Sequence, residues 1–172
     1  AVGKGTVVAA LTKRYPTLNV SVSATTRDPR PGELNGVHYY FVSAQEFDAM
    51  IERGDMLEWA LVHGKNKYGT PRGPVDEALA AGKPVLLEID LAGARQVRTN
   101  RPDAQFIFLA PPSWEELERR LIGRGTEGPE EQARRLATAR VELESASEFD
   151  HVVINDDVER AVDELARLIG LE

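Results

Sequence analysis

The sequence predicts an α/β fold with a mostly parallel sheet flanked by helices. Three observations carry this. Short apolar runs bounded by turn formers alternate with segments of helical character along most of the chain, and such alternation implies right-handed crossovers and parallel pairing. The run Pro84-Val85-Leu86-Leu87-Glu88-Ile89 has the composition of a buried strand. Residues 26–75 are richer in short strands and turns than the rest, as expected of a lobe inserted into an α/β core.

The elements follow in order. A helix starts after Lys4 and ends before Pro16, since proline disfavours helix at its predecessor. Residues 19–24 alternate like a strand. Residues 39–42 and 57–62 read as short strands around a helix near 44–53, which Gly54 stops. A helix begins at or near Pro74 and ends at Gly82. Residues 84–89, 105–109 and 152–154 are core strands, and helices around 114–122, 129–145 and 158–169 alternate with them. The expected organisation is one domain over 1–172. Its core is 1–25, 76–119 and 140–172, its lobe is 26–75, and an arginine-rich lid covers 120–139 with Gly123, Gly125 and Gly128 as flexible points.

Composition bounds the function. A length of 172 residues suits one compact domain with a substantial core. A net charge of −7 argues against a general nucleic-acid binder despite local arginines. The absence of cysteine excludes disulfides, cysteine-ligated zinc and a thiol nucleophile. No apolar run approaches membrane-spanning length and no signal peptide is visible, so the expectation is a cytoplasmic protein without a membrane partner. His38, His63 and His151 have no metal-ligand spacing. Asp156-Asp157 reads as a solvated helix start.

The most informative stretch is Val22-Ser23-Ala24-Thr25-Thr26-Arg27-Asp28-Pro29-Arg30-Pro31-Gly32-Glu33. A β-branched run stops in a loop that carries Arg27 and Arg30 and is stiffened by two prolines and a glycine. Planar guanidinium forks on a stiff loop suit a phosphate, although a solvated loop also carries such charges. The chain opens Ala1-Val2-Gly3-Lys4-Gly5-Thr6 and runs into an apolar helical stretch. Gly-Lys followed by Thr at a helix start looks like the second half of a phosphate-binding loop, in which backbone N–H groups and a lysine hold phosphate oxygens. Gly5 stands where the strict pattern has Ser or Thr, which follows as Thr6.

Together with further pieces in order, these segments resemble the guanylate kinases of the nucleoside monophosphate kinase family. The pieces include Asn35-Gly36, Tyr39-Tyr40-Phe41-Val42, Leu57-Glu58-Trp59-Ala60, Tyr68-Gly69-Thr70 and Glu88-Ile89-Asp90-Leu91-Ala92-Gly93. Later come Phe108-Leu109-Ala110-Pro111-Pro112-Ser113, Arg120-Leu121-Ile122-Gly123-Arg124-Gly125-Thr126 and Ile154-Asn155-Asp156-Asp157. The resemblance covers nearly the whole chain. It implies a P-loop kinase core whose first strand and first P-loop glycine precede Ala1; a molecule truly starting at Ala1 would bind ATP weakly.

The implied reaction is phosphoryl transfer from ATP to GMP, with dGMP as a further acceptor and Mg²⁺ carried by ATP. ATP would lie on Val2, Gly3, Lys4, Gly5 and Thr6, with Arg120, Arg124 and Asn155. Thr6 and Asp90 would reach Mg²⁺ through water. GMP would contact Ser23, Arg27, Arg30, Tyr39, Glu58, Tyr68, Thr70 and Asp90. Lys4, Arg27, Arg120, Arg124 and Arg135 would stabilise charge on the moving phosphoryl group. Closure of both lobes would exclude water.

Glu58 carries the selectivity. A carboxylate facing the Watson–Crick edge of guanine accepts from N1–H and the N2 amino group together, whereas adenine offers a bare N1 acceptor and nothing at C2. Thr70 would donate to guanine O6. Read on residue type alone, each position has a plainer alternative. Glu58 would be a solvent-facing strand residue, Tyr39 a half-buried strand tyrosine, Asp90 a helix cap and Asn155 a turn residue. Lys4 would be a helix-surface lysine, and the arginines would pair with Glu115, Glu116, Glu118, Glu130 and Glu131. Asp90 is preferred to Glu88, two residues earlier, because it matches the family's ligand aspartate. Two other classes compete: a catalytically silent scaffold, and a kinase for another monophosphate. Retention of Lys4, Arg120, Arg124 and Arg135 argues against the first, and Glu58 with Thr70 against the second.

Overall fold

The computed structural model describes residues 4–122 and 128–171. The order of elements is α1 (Lys4–Arg14), β1 (Asn19–Val20), β2 (Ala24–Thr25), β3 (Tyr40–Phe41), α2 (Ala44–Glu52), β4 (Met56–Val62), β5 (Asn66–Pro71), α3 (Arg72–Ala80), β6 (Val85–Leu86), α4 (Leu91–Asn100), β7 (Ile107–Ala110), α5 (Trp114–Ile122), α6 (Pro129–Glu144), a 3₁₀ turn (Ser145–Glu148), β8 (His151–Ile154) and α7 (Val158–Ile169). The α/β class is the one expected. The chain divides into two compact units, residues 17–104 and residues 1–16 with 105–172.

In the 17–104 unit, β1 pairs in parallel with β6, and a mixed four-stranded sheet runs in the order β3-β2-β5-β4. The sheet's apolar face is closed by α2. Phe47, with no exposed surface, packs with Ala24 and Met56, and Tyr40, Val42, Met50, Ile51 and Trp59 surround them. Ser43 starts α2 by accepting the Glu46 N–H on its hydroxyl, which satisfies one donor left open at the helix end. β4 and β5 form an antiparallel hairpin.

Among the boundaries that differ from the sequence expectation, three have a physical reason. Residues 19–24 were expected as one strand, but the chain changes partner at Val22. Asn19–Val20 pair with β6, while Ala24–Thr25 pair with β3 and β5. Alternation reports an extended backbone and not its neighbours. The strand expected over 84–89 is paired only at Val85–Leu86, because its partner β1 is equally short. The helix expected near Pro74 begins at Arg72, with Pro71 as its cap residue in extended conformation.

β5 was not foreseen. Its sequence Asn-Lys-Tyr-Gly-Thr-Pro lacks apolar alternation, and it is held as a strand by pairing on both edges. Gly69 makes that pairing fit. A Cβ there would stand 2.7 Å from the Glu58 carbonyl oxygen and 2.9 Å from Trp59 Cβ, closer than side-chain atoms pack.

In the other unit, β7 and β8 pair in parallel over four residues each. α1 packs on α7 through buried Val7 and Leu11 on one side, and Ala161, Val162, Leu165 and Ala166 on the other. Arg14 pairs with Glu159 and Asp163 across these helices. α7 is capped by Asp157, which accepts the Arg160 N–H, and ends at Gly170 in left-handed conformation with φ 87°. No helix among the described residues is long and apolar enough to cross a membrane.

Candidate functional site: two carboxylates on a helix start and an arginine–tyrosine cluster

The β4–β5 hairpin places the first cluster. Met56 faces Pro71 and Glu58 faces Thr70, so Leu57 is an extra residue on β4. Such a bulge re-aims the side chain after it. Glu58 and Thr70 are then directly opposite, where cross-strand side chains meet, and Thr70 Oγ1 donates to Glu58 Oε1 at 2.8 Å. Thr70 is buried, and Glu58 is partly buried.

Asp90 completes the group from the start of α4. Its Oδ1 accepts the Gly93 N–H at 2.8 Å, the cap expected as the plainer reading of this residue. Capping uses one lobe of the carboxylate, and Asp90 remains exposed. Gly93 sits between the two acids: a Cβ there would lie 3.1 Å from Glu58 Oε2 and 3.2 Å from Asp90 Oδ1. Burial raises the Glu58 pKa above its ordinary value, the Thr70 bond opposes that shift, and the Asp90 charge adds to it. Two converging carboxylates form an acceptor set for a ligand that brings several N–H donors. Ser23 lies just before β2, and its carbonyl accepts the Tyr40 N–H at 2.8 Å.

The second cluster is on the Pro-rich loop. Arg27 Nη1 and Nη2 donate to Glu33 Oε1 and Oε2 at 2.9 and 3.0 Å, and Nη1 also donates to the Asp28 carbonyl at 3.0 Å. The guanidinium lies over Tyr39 at 5.2 Å from the ring centroid and 6.0 Å from that of Phe41. Tyr39 and Tyr68 meet edge to face at 5.9 Å. Hydrogen bonding to Glu33 is the main reason the Arg27 pKa rises, and the Tyr68 and Tyr39 hydroxyls act in the same direction. Arg27, Tyr39 and Tyr68 are thus brought together, a donor set fit for an anion. The Arg30 backbone N–H donates to Glu33 Oε1 at 2.7 Å, while Arg30 itself is exposed.

The remaining candidates belong to the other unit. Lys4 opens α1 and is exposed, as are Gly5 and Thr6 in the first turn. Arg120 on α5 faces Glu116 at 3.4 Å, and Arg135 on α6 faces Glu131 at 3.6 Å. Glu131 also takes Arg134 at 2.6 Å. Asn155 is buried just after β8, and its N–H donates to the Ala110 carbonyl at 2.8 Å. Val2, Gly3 and Arg124 lie outside the described residues, as do Gly123 and Gly125. Glu88, in the 17–104 unit, is exposed beyond β6. No group of three or more His, Asp or Glu side chains suited to a metal ion occurs among the described residues.

Glu33 and the α4 residues Gln96 and Asn100 were not singled out from sequence. Glu33 closes the Asp-Pro-Arg-Pro-Gly turn from which Arg27 projects, and an acid placed six residues after an arginine across such a turn was the available signal.

The family model for guanylate kinase matches residues 1–172. The chain belongs to the guanylate kinase family. It is an enzyme of that class, and the similarity is high across the chain. The guanylate kinase of Thermobifida fusca is 61% identical over 169 residues, which are 98% of this chain and 86% of that protein. That of Cutibacterium acnes is 58% identical over 171 residues, 99% of this chain and 86% of the relative. Among solved structures, the guanylate kinase of Anaplasma phagocytophilum superposes with a TM-score of 0.73 at 33% identity, covering 97% of this chain and 80% of that one.

Proposed function

We propose that this enzyme transfers the γ-phosphoryl group of ATP to GMP, giving ADP and GDP, and that dGMP is a second acceptor. One observation carries the choice of base: the Glu58 carboxylate held by Thr70 beside Asp90. Guanine presents N1–H and the N2 amino group to such an acceptor, and the Thr70 hydroxyl, whose one proton is held by Glu58 here, would turn to O6 once the base donates to the carboxylate. Adenine would bring no donor to the partly buried Glu58, leaving it only the Thr70 hydroxyl, which is costly at a buried acceptor. Arg27 and Arg30, with the Tyr39 and Tyr68 hydroxyls, take the acceptor's phosphate, and Ser23 adds a contact at the base edge. In this reading residues 26–75 are the GMP-binding lobe and 120–139 the lid.

On the ATP side, Lys4 at the first turn of α1 faces the β- and γ-phosphates. Helix-start N–H groups and the lysine charge both favour anionic oxygens. Val2, Gly3, Gly5 and Thr6 belong to the same cradle, and Asn155 lies by adenine. Arg120, Arg124 and Arg135 neutralise charge on the group in flight. Phosphoryl transfer asks for alignment and charge stabilisation more than for a protein nucleophile. The donors suit Mg²⁺, which takes oxygen ligands, keeps waters and leans on substrate phosphates. The exposed Thr6 hydroxyl and the exposed Asp90 carboxylate would hold it through water. When bound, Mg²⁺ would supply positive charge against that of the phosphates.

The test is ADP formation from ATP·Mg²⁺ by the full-length protein with GMP, dGMP, AMP, UMP and CMP offered separately. Turnover with GMP and dGMP alone supports the reading. GMP binding without turnover on any acceptor would instead indicate a scaffold.

A further inference from the structure

β4 is the last strand of its sheet, so one edge is paired with β5 and the other is not paired with a strand among the described residues. The groups on that second edge are met by side chains of α4. Trp59 N–H donates to Gln96 Oε1 at 3.0 Å, and Gln96 Nε2 donates to the Trp59 carbonyl at 2.9 Å. Asn100 Nδ2 donates to the Leu57 carbonyl at 2.9 Å. A primary amide carries one acceptor and a donor side by side, as a peptide group does, so Gln96 substitutes for the missing neighbour strand. The three bonds bracket Glu58, one on the residue before it and two on the residue after.

The same helix holds the other half of the pair. Asp90 caps α4, and Gly93, Gln96 and Asn100 follow at spacings that keep them near one helix face. Gly93 leaves the room in which the Glu58 and Asp90 carboxylates approach. We propose that the Gly93–Gln96–Asn100 face of α4 is a positioning device that fixes Glu58 relative to Asp90 and thereby sets the discrimination between guanine and adenine. This rests on the GMP reading above. Gln96 touches no substrate in this scheme. It acts by preventing β4 from sliding, since a bidentate contact is lost on a displacement of about 1 Å.

The experiment compares Gln96→Leu, Gly93→Ala and Glu58→Gln with the parent in the full-length enzyme, reading kcat and KM for GMP, KM for ATP, AMP turnover and melting temperature. Gln96→Leu is expected to raise the GMP KM about tenfold, to lower the GMP-to-AMP ratio of kcat/KM by a similar factor, and to leave the ATP KM unchanged. In a Glu58→Gln background the same substitution should add little, because coupled residues are not additive.

Gly93→Ala places a methyl against the carboxylates at a helical position where alanine is favoured. It should therefore raise the GMP KM; the methyl meets Glu58 Oε2 at 3.1 Å, Asp90 Oδ1 at 3.2 Å and Ile89 Cβ at 3.3 Å, so its melting temperature is read beside that of Gln96→Leu, and either variant that folds keeps the test decisive. An unchanged GMP KM in Gly93→Ala, or an equal cost of Gln96→Leu in both backgrounds, overturns the proposal. Failure of the GMP reading looks different: Glu58→Gln alone would leave the GMP KM at the parent value, and both would fall together.

Discussion

Arg27 and Glu33 form a two-pronged ion pair across a turn containing Pro29, Pro31 and Gly32, with both guanidinium Nη atoms on both carboxylate oxygens at 2.9 and 3.0 Å. The pair is only modestly exposed, 12% for Arg27 and 18% for Glu33. The planar fork matches the carboxylate, and the Arg30 N–H adds a third bond to the same acid. The result is an arginine whose orientation the turn itself sets.

This pair has a pH signature. Hydrogen bonding to Arg27, then to the Arg30 N–H, lowers the Glu33 pKa from 4.5 to about 2. A lowered folded-state pKa contributes stability above the unfolded value, and that contribution is lost as pH falls from about 4.5 through about 2. The melting-temperature difference between the parent and Glu33→Gln should be largest near neutrality and shrink steadily below pH 4.5. Parallel melting curves at pH 3 and pH 7 that keep the same gap would contradict the assignment.

Glu58 behaves oppositely. Its folded pKa is raised, chiefly by burial, so the folded state holds its proton more tightly than the unfolded chain. Its favourable contribution is present below the unfolded value and is lost as pH rises through the raised one. Glu58→Gln should therefore gain stability relative to the parent above about pH 4.5, while its GMP KM rises about 10–10²-fold for want of a second acceptor. Thermal melts and GMP titrations on the same preparation check both arms. A variant that loses stability and keeps its GMP KM would exclude Glu58 as the base reader.

How much of this was legible in the sequence follows from residue type. Arginines at a proline-rich turn, and a glutamate between Leu57 and Trp59, stand out because their chemistry conflicts with the plain role of the segment. Their partners do not stand out. Thr70 and Glu58 meet because of a bulge at Leu57, and pairing register is a tertiary property that a lone strand does not encode. Gln96 looks like any glutamine on a helix until the edge of β4 is placed beside it. The 19–25 stretch reads as extended, yet which sheet each half joins depends on β3, β5 and β6. The expected helices were closest to the structure, because stop signals are local: Pro16 beyond α1, Gly54 beyond α2 and Gly82 beyond α3; α4 was not among the elements expected.

Gly69 offers a structural check on the hairpin that carries Glu58. Gly69→Ala puts a Cβ 2.7 Å from the Glu58 carbonyl oxygen, a backbone atom that moves only with its strand. The expected cost is about 1–3 kcal/mol, read as a lower urea midpoint with unchanged slope. The displaced strand should also raise the GMP KM. Gly73→Ala, where a Cβ in α3 meets nothing within 4 Å, is the control and should not lower the midpoint and should leave the GMP KM unchanged.

The arginines of the proposed lid give the sharpest catalytic test. Arg135 on α6 sits 3.6 Å from Glu131, an acid that also holds Arg134 and whose pKa is lowered mainly by that second arginine. An ion pair between exposed groups contributes little to stability. If pairing were the role of Arg135, its removal would be nearly silent. If it stabilises charge on the transferring phosphoryl group, Arg135→Ala should lower kcat by about 10²–10⁴ with melting temperature and GMP affinity held. Arg134→Ala, which removes the arginine nearer Glu131, should leave kcat within about twofold, as surface substitutions generally do. Equal kcat losses in the two variants would point to a shared effect on α6 and against a role for Arg135 at the phosphoryl group.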